Sequence, residues 1–252
     1  VSYDVIMGAH NEQEYIRYPL LSLSNQTIKP SKLVVVLDRC TDRTPEIVSK
    51  LAKELPFKVD VIFKDRAGWV YSQAENLELG RKRTSSEFVA IVDADVILDK
   101  TYFEFLLKNF RRDVGVLSGD VITVWNGLFG SLYYAWDRIS RRVKLPAQEN
   151  VRGCAMLIRS DALDEIGGFA DVFSPDTYVQ MKIRGLGYKV MLLREVKAYH
   201  IRRMGFSKIF ANQYAMGISR AHLGFSLVKT LAHSAFRCRP LVLAGYLKYL
   251  LS

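Results

Sequence analysis

Phe88-Val-Ala-Ile-Val-Asp-Ala-Asp-Val-Ile-Leu-Asp99 is the stretch that decides how this chain is read. Its first five residues are apolar throughout, long enough for a buried strand and too short for a core helix, and the run then ends in acid. If residues 92–96 stay extended, side chains alternate, so Asp93 and Asp95 project to one side and Ala94 to the other. Carboxylates that close repel unless a cation sits between them, and oxygen-only ligands favour magnesium or manganese. Two solvated turn acids would give the same tripeptide, so its neighbours must decide.

Upstream, Tyr3 to Ala9 reads as a first buried strand, which Gly8-Ala9-His10-Asn11-Glu12 breaks before an amphipathic helix from about Glu14 to Ser24. Lys32 to Asp38 gives a second strand. Arg39-Cys40-Thr41-Asp42-Arg43-Thr44 follows, then a helix through Glu54 with Thr44 as N-cap and Pro45 in the first turn. Lys58 to Lys64 forms a third strand, and the polar loop Asp65 to Gly68 leads into a helix ending near Lys82. Strands alternating with helices predict a mostly parallel sheet covered on both faces, with ligands beyond the carboxyl ends of the strands. Ala9, Asp38, Asp93 and Asp95 all fall at such ends.

Downstream the alternation loosens. Tyr102 to Phe110 is an amphipathic helix and Gly115 to Val124 a strand. Asn126 to Lys144 carries Leu128, Phe129, Leu132, Tyr133, Trp136 and Ile139 at helical spacing, which reads as a core-facing stripe in preference to an acceptor surface. Ala155 to Ile158 is a strand, Ser160 caps a helix from Asp161 to Ile166, Thr177 to Leu186 is helical, and Val190 to His200 is extended. From Gly205 onward the chain is helical and basic: either helices packing on the sheet domain or an amphipathic surface on anionic lipid.

With 252 residues and 49% hydrophobic content, one large domain, or one domain plus a tail, is expected. A net charge of +10 points to an anionic partner. Nucleic acid is set aside, because the aromatics follow core periodicity and no RNA- or DNA-binding signature occurs. Cys40, Cys154 and Cys238 lie far apart, which supports neither a disulfide framework nor a zinc site and fits a reducing compartment. No signal peptide is visible, and no segment supplies the roughly 20 apolar residues of a spanning helix. The expectation is a cytoplasmic protein whose tail either packs on the sheet domain or lies peripherally on the cytoplasmic face of a membrane.

Taken together, several stretches resemble glycosyltransferase family 2, enzymes with the GT-A nucleotide-sugar-binding fold, over roughly Tyr3 to Arg203. Gly8-Ala9-His10-Asn11-Glu12 is similar to the family's opening Pro-Ala-(Tyr or His)-Asn-Glu, with glycine in place of proline. Leu37-Asp38-Arg39-Cys40-Thr41-Asp42-Arg43-Thr44 departs from Asp-Asp-Gly-Ser-Thr-Asp-Gly-Thr but keeps Asp38. Ala74-Glu75-Asn76 resembles the helix before the metal strand. Gly153 to Leu163 with Ile166-Gly167-Gly168-Phe169 resembles the acceptor-side segment, and Pro175-Asp176 stands where the family has Glu-Asp.

The resemblance implies an α/β GT-A (Rossmann-like) fold with a mixed, mostly parallel central sheet and a C-terminal helical basic extension. Residues 1–203 would form the catalytic domain, 1–99 its nucleotide-binding half and 100–203 its acceptor-side half, with 204–252 a helical tail. It implies a metal-dependent, inverting transfer from a UDP- or GDP-sugar to a hydroxyl of a glycan or glycolipid, or to a polyprenyl phosphate. By the same resemblance Asp95, Asp93 and His200 hold manganese or magnesium, and Asp176 is the catalytic base. The donor meets Ala9, His10, Glu12, Asp38, Arg66, Asp93, Ala94, Arg202 and Arg203. Absence of Gln-x-x-Arg-Trp argues against a processive polysaccharide synthase. The altered Asp38 loop and missing glutamate leave one alternative, a nucleotide-sugar-binding module of the same fold with impaired catalysis.

Overall fold

In a computed structural model the apolar runs assemble into an eight-stranded mixed sheet. The structure describes residues 1–125, 131–132, 135–136, 139, 151–204 and 206–251. The chain divides into two compact units, Val1–Ile122 with Asn150–Ile201 and Thr123–Glu149 with Arg202–Ser252.

The first unit opens with β1 (Tyr3–Ala9), α1 (Arg17–Ser24), β2 (Lys32–Asp38), α2 (Thr44–Leu51), β3 (Lys58–Lys64), α3 (Ser72–Arg81) and β4 (Phe88–Val92). The order continues with β5 (Val96–Leu98), α4 (Tyr102–Lys108), β6 (Val114–Trp125), β7 (Ala155–Arg159), α5 (Ser160–Glu165), α6 (Pro175–Gly185) and β8 (Lys189–Met204), whose last residues, like those of β6, fall in the second unit. Across the sheet the strands run β3-β2-β1-β4-β7-β6-β8-β5. The first four are parallel, whereas β7 runs antiparallel to both β4 and β6, and β5 runs antiparallel to β8. The mixed α/β architecture expected from the alternation is therefore present.

Continuous apolar strands are what a sheet covered on both faces demands, because alternate residues feed two cores. Val5, Met7, Leu33, Val35, Phe88, Ala90 and Val92 join α1, α2 and α4 in one cluster. Ile6, Val89 and Ile91 point the other way, into a second cluster with Leu77 of α3, Ala162 and Leu163 of α5, and Val179 and Ile183 of α6. Buried polar groups tie the layers. The Gln26 amide donates to the Asp99 carbonyl at 2.9 Å and accepts the Phe103 N–H, satisfying one donor at the start of α4. The Tyr102 hydroxyl donates to the Ala155 carbonyl and accepts the Gly119 N–H, both at 2.7 Å, pinning β6 and β7.

Several local expectations are corrected. Residues 93–95 are a turn, not extended chain: the Val96 N–H bonds the Asp93 carbonyl at 3.2 Å, so strict alternation of the two acids does not apply. Helix α1 begins at Arg17, three residues late, because Tyr15 and Ile16 both donate to the Glu12 carbonyl in a preceding turn. Thr44 is no N-cap; Asp42 Oδ1 accepts its N–H at 2.9 Å, and its hydroxyl accepts the Glu12 N–H at 2.7 Å. Ser160 opens α5 without capping it, since its hydroxyl donates to the Ser86 carbonyl at 2.7 Å. Helix α6 starts two residues early, at Pro175, whose fixed φ suits a first turn.

The second unit contains α7 (Phe206–His222), α8 (Leu227–Phe236) and α9 (Pro240–Leu250). Helices α7 and α9 pack closely enough that Gly217 meets the Val242 carbonyl and Gly245 the Tyr214 carbonyl, spaces no side chain could share. Most of the expected core stripe between Asn126 and Lys144 lies outside the described residues. Its described members Leu132, Trp136 and Ile139 are helical and exposed, so they are not core.

Helix α3 sits so tightly on β1 that a Cβ at Gly80 would collide with the Ile6 side chain. Gly80→Val is expected to lose about 1–3 kcal/mol by overpacking, measured by urea denaturation. An unchanged midpoint would mean that the helix does not approach the strand this closely.

Candidate active site

The site grows from the junction between a parallel and an antiparallel strand. Strand β4 pairs with β7 in the register Val92↔Ala155, and one step on, the Asp93 N–H donates to the Cys154 carbonyl at 3.0 Å. The chain then turns through Ala94, which is buried in the core, to Asp95, only 6% exposed. Strand β5 re-enters the sheet against β8 in the register Val96↔His200, and the Ile201 N–H bonds the Asp95 carbonyl at 2.9 Å. This double anchoring brings His200 Nε2 within 3.4 Å of Asp95 Oδ1.

Among the described residues no group of three or more His, Cys, Asp or Glu side chains is gathered as a ready metal centre. The pair of Asp95 oxygen and His200 nitrogen nonetheless fits one. Its members are close enough to serve as neighbouring ligands of one hard divalent cation, which would take its other oxygens from elsewhere. Asp93, on the other side of the turn, is half-buried.

Asp176 stands in the first turn of α6, after the left-handed Ser174 (φ 62°). Gly153 packs directly on it, and a Cβ there would overlap the Asp176 carboxyl. Burial pushes the Asp176 pKa up, against the N–H groups of Thr177, of Asp176 itself and of Gly153, which favour the charged form. A carboxylate raised in this way is a stronger base. Cys154 reports the whole cluster: burial raises its thiol pKa first, then the charges of Asp93, Asp95 and Asp176, with Arg152 opposing. The thiol therefore lies within electrostatic reach of Asp93, Asp95 and Asp176 together.

The donor-side expectations land on neighbouring loops. Ala9 closes β1 in the core, and exposed His10 contacts the Asp38 carbonyl through Nδ1 at 2.6 Å. Asn11, left-handed at φ 54°, accepts the Thr41 N–H at 2.8 Å, and Asp42 accepts the Gln13 N–H. With the bond from the Glu12 N–H to Thr44, these lace the loops after β1 and β2 together. Arg66 lies on the exposed loop after β3. Arg202 and Arg203 belong to the second unit.

Asp38 is enclosed. Oδ1 accepts Arg39 Nε at 2.8 Å and faces Lys64 Nζ at 3.4 Å, while Oδ2 accepts Ser72 at 2.6 Å, Asn76 at 3.1 Å and Arg39 Nη2 at 3.3 Å. Burial alone would raise its pKa, but the hydrogen bonds from Arg39, Ser72 and Asn76 and the Lys64 charge outweigh it and hold the carboxyl well below the usual range. Lys64 also bonds Glu75 at 2.8 Å, and Glu75 in turn accepts the Gly68 N–H. Of the Asp38–Arg39 pair, Arg39 carries the exposure, 43% against 4% for the side chains.

Lys64, Ser72 and Arg39 received no role from sequence reasoning, and Gly153 only a place in the acceptor-side segment. Lys64 carried one readable signal, a cation closing an apolar strand next to the strand that Asp38 closes, and the pairing Asp38↔Lys64 places them side by side.

The model for "Glycosyl transferase family 2" matches residues 4–167, and the chain belongs to that family. Glycosyltransferase GlyA of Streptococcus pneumoniae is 26% identical over 254 residues, covering 90% of this chain and 36% of the relative. The probable glycosyltransferase YdaM of Bacillus subtilis is 26% identical over 200 residues, covering 74% and 47%. The chain thus spans less than half the length of these relatives. Among solved structures, the mannosyltransferase PcManGT of Pyrobaculum calidifontis, in complex with GDP-Man and Mn2+, superposes with a TM-score of 0.67 at 19% identity, over 99% of this chain and 74% of that one. TarS of S. aureus (residues 1–349) with UDP-GlcNAc gives 0.61 at 19% identity, over 98% and 72%. The sheet order and flanking helices are those of the GT-A fold.

Removing the cation from the Asp38–Lys64–Glu75 group leaves buried acid without its partner. Lys64→Met is therefore expected to cost about 3–5 kcal/mol in chemical denaturation at neutral pH. A loss below about 1 kcal/mol would mean that these charges are solvated.

Proposed function

We propose that the chain transfers a sugar from a nucleoside-diphosphate sugar to an acceptor with inversion, using Asp176 as base and a divalent ion at Asp95 and His200. The observation that carries the reading is the arrangement around Cys154: Asp93 bonds its carbonyl, and Asp176 packs on the adjacent Gly153. Donor-side acids and a base of raised pKa therefore share one edge of the sheet.

The chemical difficulty is negative charge building on the leaving diphosphate. A bound divalent ion supplies Lewis-acid neutralisation of that charge without proton transfer. Asp95 and His200 would hold the ion, and Asp93 would either share it or reach the ribose. Because Asp38 is engaged by protein donors, it would act by fixing Arg39, whose exposed guanidinium would then meet the donor. Asp176 would take the proton from an attacking hydroxyl on the opposite face of the sugar, which makes a single displacement that inverts the anomeric centre. With a lipid phosphate as acceptor, already ionised, Asp176 would only position it. PcManGT and TarS carry guanosine and uridine donors respectively, so both are candidates here. The enclosed Asp38 also suits the second reading, a binding module with weak catalysis; donor hydrolysis without transfer to any acceptor would favour it.

Asp95→Asn is expected to lower metal-dependent turnover by at least about a hundredfold with the fold intact. Full activity in the variant, or undiminished activity in excess chelator, would refute the metal assignment. Asp176→Asn should lower turnover with a hydroxyl acceptor by about a hundredfold or more while donor affinity, read by calorimetry, stays unchanged. The pH profile gives an independent reading. Because the folded pKa of Asp176 is raised, activity should be present above that pKa and fall as pH drops through it, at a pH above the ordinary aspartate value of about 4. A flat acidic limb down to that value would contradict the role.

A further inference from the structure

Helix α8 is amphipathic the wrong way round for a water-facing helix. It buries its polar residues Thr230 and Ser234, one turn apart. The Thr230 hydroxyl donates to the Ser226 carbonyl at 3.1 Å and accepts Arg220 Nε at 3.2 Å, and Ser234 donates to the Arg239 carbonyl at 2.8 Å. Leu227, Val228, Leu231 and Ala235, within an arc of about 100°, are exposed, Val228 to 75%. Where α8 ends, Trp136 Nε1 bonds the Arg237 carbonyl at 3.4 Å, so the exposed Leu132, Trp136 and Ile139 belong to the same unit and Trp136 adjoins the helix. Exposed apolar side chains gathered in this way mark a surface that meets an apolar phase.

Charge names the phase. Residues 202–252 hold eight Lys and Arg and no Asp or Glu, in a chain whose whole net charge is +10. Lys208, Lys229 and Lys248 are exposed, and Lys229 lies within α8 itself. A second copy of this surface would meet like charge, whereas the headgroup region of an anionic bilayer offers negative charge above hydrocarbon, and a tryptophan suits that boundary. No helix among the described residues is long and apolar enough to cross a membrane, so the contact lies in the plane of the interface.

We propose that α8 is a lipid-docking helix, its Leu227, Val228 and Leu231 face seated in the interface of an anionic bilayer. The inference is independent of the donor chemistry.

The test is co-sedimentation of the protein with vesicles of phosphatidylcholine alone and of equimolar phosphatidylcholine and phosphatidylglycerol. Partition into the anionic vesicles is expected, weakening as salt is raised, with little into the neutral ones. The double variant Val228→Glu, Leu231→Glu should partition at least about tenfold less, with thermal melting and donor binding unchanged because both side chains already face water. Lys229→Glu should lower partition more weakly. No partition into the anionic vesicles would overturn the proposal, as would partition that survives the double variant. Self-association abolished by the double variant, without vesicle binding, would assign the face to a second copy and overturn it equally.

Discussion

The antiparallel pairing of β7 with β4 is the constraint on which the site depends. Four parallel strands would place only the ends of β1, β2, β3 and β4 along one edge of the sheet. Reversing the next strand brings the start of β7 to that same edge, so that Cys154 lies beside Asp93. The acids at the end of one strand and the segment leading to α6 then become neighbours, although 83 residues separate Asp93 from Asp176 in number. The bonds from Tyr102 to Ala155 and Gly119 hold this reversal in the buried layer next to the cluster.

Around that junction the structure handles charge by two different means. Asp38, Lys64 and Glu75 form a buried alternation of acid and base that fixes the positions of Ser72, Asn76 and the loop at Gly68. Such a group contributes rigidity to a site more than net stability, since desolvation offsets much of the attraction. Asp176 is the reverse case. Burial outweighs the backbone N–H groups around it, raises its pKa and makes it a better proton acceptor for that reason. One acid held deprotonated and another whose pKa is raised thus lie in the same unit of the fold, as the proposed donor and acceptor roles would need.

Much of this was legible in the sequence because it rests on local rules. Runs such as Val34 to Leu37 and Phe88 to Val92 are apolar at every position, which only a strand between two cores tolerates, and those strands stand where the pattern placed them. Ala9 and Asp38 close β1 and β2, and Asp93 directly follows β4, at the carboxyl ends where the pattern placed them. What the sequence hid depends on partners distant in the chain. Nothing local distinguishes Thr44 as an acceptor for Glu12 from Thr44 as a cap, or tells that Asp42 accepts the Thr44 N–H. The turn at 93–95 leads into β5, whose partner β8 meets it at Val96↔His200, more than 100 residues away in sequence. Helical spacing marked Leu132, Trp136 and Ile139 as one face, but spacing cannot say whether that face meets core or solvent.

The account predicts one face for the leaving diphosphate and the other for the proton acceptor. Its most direct measurement is the anomeric configuration of the first-formed product, followed by proton nuclear magnetic resonance with water as acceptor and whichever uridine or guanosine diphosphate sugar the protein binds. The account predicts inversion relative to the donor before mutarotation mixes the anomers. A first product with the donor's own configuration would contradict it.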